Sequence, residues 1–149
     1  MSVRRRILAF EPWDGGSHAA VRRSIERHSR HAWTWVTLPD RGWRWRMRTG
    51  AFTLAERAAP HAGERFDAIL AAGLLSLPDL LAALRRPPWP RTAAGRAWPP
   101  PAILLMHENQ AAYPAGPEGG DDRDAHLVLV NLASVAAADA VIWNSDWNR

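Results

Sequence analysis

The sequence contains no cysteine, which excludes disulfides, thiolate metal sites and cysteine nucleophiles. It contains no lysine either: all 19 residues counted as Lys or Arg are arginine. Abundant alanine and proline accompany that choice, and GC-rich coding is the plain explanation. Long hydrophobic runs are scarce. The longest mostly apolar stretch, Leu127 to Trp143, is interrupted by Asn131, Ser134 and Asp139 and makes a poor membrane span. Near the start, Arg4, Arg5 and Arg6 precede Ile7 to Phe10, but that run ends at Glu11-Pro12, far short of a signal-peptide core. The expectation is a cytoplasmic protein that opens on a buried strand, with no membrane partner.

What is present fits one ordinary domain. The chain has 149 residues, 47% apolar and 23% charged, enough to bury a core and too apolar to be disordered. The net charge of +4 is unevenly spread. Residues 1–66 hold 13 arginines against 6 acidic residues, whereas residues 67–149 hold 6 against 9. A basic N-terminal half suits an anionic partner such as RNA, a phosphorylated sugar or a membrane surface.

Strand and helix patterns alternate. Ile7 to Phe10 is a continuous apolar run of the kind buried on both faces of a parallel sheet. The turn 11–18 follows, with Asp14 or Ser17 placed to cap a helix over about 17–30 that turns Val21, Ile25 and His28 to one side. Residues 33–38 read as a strand and 45–59 as a helix. The pattern repeats with a strand over 66–71, a helix over 77–84, a strand over 102–106, a helix over 126–137 and a strand over 140–143. Residues 87–101 hold six of the twelve prolines and read as an extended surface connection outside the core, and 115–122 as a flexible loop. Such alternation predicts an α/β fold, a Rossmann-like doubly wound parallel sheet. Ligands then bind beyond the carboxyl ends of the strands, at the turns 11–18, 72–73, 107–114 and 144–145.

Those turns carry the chemistry. Gly15-Gly16-Ser17 lies between strand and helix, where glycines allow close approach and a helix start offers N–H groups to a phosphate. It is neither the dinucleotide fingerprint nor a Walker loop, and an ordinary turn explains it as well. His107-Glu108-Asn109-Gln110 is the densest polar group beside a buried strand, suited to holding sugar hydroxyls or moving a proton, or simply a solvated loop. A metal would need a further ligand such as His18 or His126, and the HExxH spacing is broken by Ala111. No G-x-S-x-G elbow supports a Ser-His-Asp hydrolase. Trp43, Arg44, Trp45, Arg46 and Arg48 alternate indole and guanidinium, which suits RNA stacking and phosphate contacts, or a packed face whose arginine stems cover the tryptophans.

Four segments in order, EPWDGGSH at 11–18, HSRHAWTWVTLPDRGWRWRMR at 28–48, ILLMHENQAAYP at 103–114 and RDAHLVLVNLASVAAADAVIWNS at 123–145, resemble the N-terminal domain of tRNA-queuosine α-mannosyltransferases. These are GT-B enzymes of the glycosyltransferase family 4 type, and the resemblance runs from Ile7 to Arg149. It implies one half of a GT-B architecture: residues 1–149 as the acceptor-side domain, with no donor-binding domain and little turnover alone. It implies transfer of mannose from GDP-mannose to queuosine in tRNA with retained configuration, no cofactor or metal, and a separate C-terminal half as a partner. By the same resemblance His107 and Glu108 are catalytic candidates, Gly15, Gly16 and Ser17 face the donor phosphate, and His18, Asn109, Gln110, Asn144 and Ser145 line the acceptor side or cleft. Trp43 to Arg48 would face tRNA. The other class of function is a non-catalytic Rossmann-like module that binds tRNA or another anionic ligand.

Overall fold

The structure is a computed structural model that describes residues 3–93, 95–112 and 124–146. Five strands form one parallel sheet: β1 (Arg6–Glu11), β2 (Ala32–Thr37), β3 (Ala68–Ala72), β6 (Ala102–Met106) and β7 (Ala140–Trp143). Their order across the sheet is β2-β1-β3-β6-β7, and every pairing is parallel. Counting only these five strands, the order is 2-1-3-4-5, a Rossmann-like doubly wound α/β arrangement. The helices are α1 (Gly16–His28), α2 (Trp43–Arg57), α3 (Leu77–Ala83) and α4 (Ala125–Ala137), with a short 3-10 turn at Ala59–His61. The loop expected at 115–122 lies outside the described residues.

Alternation along the strands divides the core. In β1, Leu8 and Phe10 face the layer of α2, α3 and α4, while Ile7 and Ala9 face α1. The larger side adds Ile69, Leu104 and Met106 from the sheet to Leu54, Leu77 and Leu80 from the helices, all essentially inaccessible. Each such side chain contributes roughly 1.5–3 kcal/mol on burial. On the α1 side Val21 and Ile25 pack as expected, but His28 is exposed and bonds back to the Ser24 carbonyl at 2.9 Å.

Two expectations need correction. Neither Asp14 nor Ser17 caps α1: the N-cap is Gly15, without a side-chain bond. Asp14 is engaged elsewhere, accepting from Arg22 Nε at 2.9 Å and Nη2 at 3.1 Å. Nor is the proline-rich segment outside the core. Trp89 and Trp98 are 6% and 7% exposed and stack with ring centroids 5.1 Å apart and planes 5° apart. The Trp98 indole donates to the Leu84 carbonyl at 2.7 Å, which ties the strap to the end of α3. A two-residue antiparallel ladder, β4 (Thr92–Ala93) with β5 (Arg96–Ala97), closes it. The prolines shape the path while the indoles supply buried area.

Candidate functional site

The site begins where β1 ends. Glu11 is the last residue of the strand and only 2% exposed. A buried carboxylate needs donors, and the chain supplies two by turning back at once. The Trp13 backbone N–H donates to Glu11 Oε1 at 3.0 Å. His18, in the first turn of α1, places Nδ1 at 3.1 Å and 3.2 Å from the two carboxylate oxygens. A carboxylate only accepts, so Nδ1 carries the hydrogen and Nε2 is the ring nitrogen left for a ligand. The edge of Trp13 meets the His18 ring at 5.7 Å.

His107 arrives from the next-but-one strand across the sheet. It directly follows β6, and its ring stacks on His18 with centroids 4.1 Å apart and planes 20° apart. Burial, helped by the neighbouring His18, pushes its pKa down to about 4. His107 is therefore neutral at pH 7, a hydrogen-bonding rather than a cationic group. Glu11, His18 and His107 thus form a buried polar cluster in the middle of the strand ends.

A cavity of about 360 Å³ opens beside this cluster. Gly16, Ser17 and His18 line one side, Trp13 and Trp43 another, with Leu74 and the half-buried Glu108 completing it. Gly16 has φ of +48°, a left-handed conformation that suits glycine. Gly15 has a different reason to be glycine: an added Cβ would lie 2.3 Å from Asp40 Cβ. Its side-chain position faces the loop after β2 rather than a ligand.

The remaining predicted residues split. Asn109 accepts from the Ala111 N–H at 3.0 Å and shapes the turn. Gln110 is buried, and its backbone N–H donates to Asn131 Oδ1 at 2.9 Å. Asn144 and Ser145 are exposed after β7, and the Asn144 amide donates to the His107 carbonyl at 3.0 Å. The Trp-Arg segment does not form one face, because successive residues on a helix diverge by about 100°. Trp43 turns to the pocket, Met47 is buried, Arg46 is half-buried and Arg48 pairs with Asp124 at the N-cap of α4. Arg44, over the Trp43 ring at 5.3 Å, and Trp45, 66% exposed, face outward.

Glu11 and Asn131 are the residues that sequence reasoning missed. The available signal for Glu11 was a carboxylate closing an apolar run, with a histidine one turn into the next helix. Asn131 gave less: it is a polar residue in an apolar helix, and its partners lie in two distant loops. Its amide donates to the Gly73 carbonyl at 3.2 Å, and Ser134 one turn later bridges the Leu75 carbonyl and the Leu77 N–H.

Residues 6–149 match a family model described as tRNA-queuosine alpha-mannosyltransferase N-terminal. The chain belongs to this family. It is also 34% identical over 144 residues to the tRNA-queuosine alpha-mannosyltransferase of Drosophila melanogaster, a match covering 95% of this chain. The same match covers 34% of the fly protein, so the chain spans about a third of that relative's length. No solved structure matches it significantly. The family match takes in Glu11, His18, His107 and Glu108 together, so the pocket lies wholly within the family domain. Among the described residues, no helix is long and apolar enough to cross a membrane.

Proposed function

We propose that this chain is the acceptor-side domain of a retaining mannosyltransferase that acts on queuosine in tRNA with GDP-mannose as donor. The observation that carries the reading is the Glu11–His18–His107 cluster beside a cavity at the carboxyl edge of the sheet, in a chain of the tRNA-queuosine alpha-mannosyltransferase N-terminal family. Retaining transfer passes through an oxocarbenium-like sugar as the nucleotide diphosphate leaves. The site must then orient hydroxyls around the sugar and tolerate charge on the leaving oxygen. His18 and Glu108 line the cavity and supply hydrogen-bonding groups, the neutral His107 stacks on His18, and the backbone at Gly16 and Ser17 supplies donors at the start of α1. In this reading donor binding belongs to a second domain, which the test supplies separately. A cytoplasmic location is part of the same reading.

The test supplies the donor-binding domain of the fly relative in trans, with GDP-mannose and queuosine-containing tRNA. Mass spectrometry of the digested tRNA should show mannosyl-queuosine. Activity that survives His107→Ala and Glu108→Ala unchanged would remove both from the mechanism.

A second reading, a non-catalytic tRNA-binding module, is favoured by the outward Arg44 and Trp45 on α2. It is the reading to adopt if tRNA binds, no transfer occurs with any donor domain, and Arg44→Ala abolishes the binding.

A further inference from the structure

The net charge of −3 in residues 67–149 conceals a local reversal. From Leu80 to His107 there is no acidic residue, and this stretch holds Arg85, Arg86, Arg91 and Arg96. The strap puts the first three on the surface. All are exposed, and among the described residues no carboxylate lies within ion-pair distance of any of them. Some arginines of this protein are neutralised locally, such as Arg6 by Glu64, Arg22 by Asp14 and Arg48 by Asp124. The exposed Arg23, Arg27 and Arg30 lack an ion pair among the described residues, as the strap arginines do, but they do not line the concavity that Arg85 and Arg91 share. Glu56 is the acidic residue that shares the adjoining groove with Arg86, and it lies in no ion pair with it.

The surface is also shaped and stiff. Arg85 and Arg91 both line a concavity of about 540 Å³ together with the stacked pair Trp89 and Trp98. Backbone bonds from Trp89 N–H to the Arg86 carbonyl, 3.0 Å, and from Trp98 N–H to the Arg91 carbonyl, 3.1 Å, lock the arginine-bearing backbone to the buried indoles. Guanidinium groups carried on a backbone held in this way suit bidentate recognition of phosphate, and the ordering cost on binding is confined to their side chains. The strap enters β6 from its N-terminal end, so it lies at the edge of the sheet opposite the pocket. A strand of five residues separates the two edges by about 17 Å. A small donor does not span both, whereas a folded RNA does.

We propose that the strap surface of Arg85, Arg86 and Arg91 is a docking site for the phosphodiester backbone of an RNA. The choice of RNA among polyanions rests on the functional reading above; the site itself rests on the unpaired arginines and the locked strap.

The experiment uses the full chain and a fluorescein-labelled tRNA transcript without queuosine, with anisotropy followed across a salt series. The triple variant Arg85→Gln, Arg86→Gln, Arg91→Gln is compared with a charge-matched control, Arg23→Gln, Arg27→Gln, Arg30→Gln, at exposed positions on and just after α1. Near-ultraviolet circular dichroism of the indoles reports that both fold. The strap variant should bind about 10-fold to 100-fold more weakly and lose about 2–3 from the slope of log K against log salt, one for each phosphate contact removed. The control should keep the wild-type slope. Equal losses in the two variants, or no loss in the strap variant, overturn the proposal. So does displacement of the tRNA by polyglutamate at equal charge, which assigns the surface to an acidic protein partner. Because the probe carries no queuosine, the result is independent of transfer. A chain active in trans but with an unchanged strap slope keeps its function and loses this site.

Discussion

Lowering the pH should destabilise the fold through His107 in particular. In the unfolded chain a histidine takes its proton near pH 6.5, and in the fold His107 does so only near pH 4. Between those values the unfolded state binds more protons, so stability rises with pH across this window and falls on acidification. Integrating the two titrations gives a loss of about 1.4 kcal/mol by pH 5.5 and about 3 kcal/mol by pH 4, with almost none at pH 7. Carboxylates add their own losses in acid, so the quantity to isolate is a difference. His107→Phe keeps a flat ring against His18 and removes the titration. Urea denaturation of both proteins at pH 7, 5.5 and 4 should show the wild type losing about 3 kcal/mol more than the variant over the series. Parallel stability curves would falsify the assignment, because a histidine that titrates freely in the fold contributes no such difference.

Glu11→Ala removes the acceptor of the His18 and Trp13 hydrogens and should cost about 3 kcal/mol in urea denaturation, while Glu11→Gln, which retains one acceptor oxygen, should cost about half as much. Gly15→Ala drives a methyl group into Asp40, and a loss of about 1–3 kcal/mol is expected, with recovery in the double variant with Asp40→Gly. A Gly15→Ala protein with unchanged thermal stability would show that the loop after β2 is free to move. Asn131→Leu fits the apolar pattern of its helix yet should destabilise by about 2–3 kcal/mol, since the Gly73 carbonyl and the Gln110 N–H lose their buried partner; amide hydrogen exchange should quicken at Gln110 first.

The sheet was readable because continuous apolar runs have few other uses. The expected limits 102–106 and 140–143 coincide with β6 and β7, the other expected helices and strands shift by at most two residues at either end, and the short β4 and β5 were not expected. The strap was misread because proline content reports local chain stiffness, whereas the place of Trp89 and Trp98 depends on each other and on Leu84. Polar residues in the turns after strands were legible as candidates, and His18, His107 and Glu108 were named among them. Glu11 was passed over as part of a turn, because its role comes from the way α1 doubles back over the end of β1. The Trp-Arg segment looked like one surface when written in a line, and the helical twist distributes it among pocket, core and solvent.

The two polar residues of α4 carry a consequence for how this domain tolerates change. Asn131 and Ser134 hold the loop after β3 and the loop after β6 to one helix, three residues apart. That helix works as a spacer gauge: neither loop can gain or lose a residue without emptying a buried hydrogen bond in the other's support. Length variation among relatives should therefore be absent from 73–77 and 107–110. It should collect in the strap and in the segment between Gln110 and α4, where the gauge does not reach.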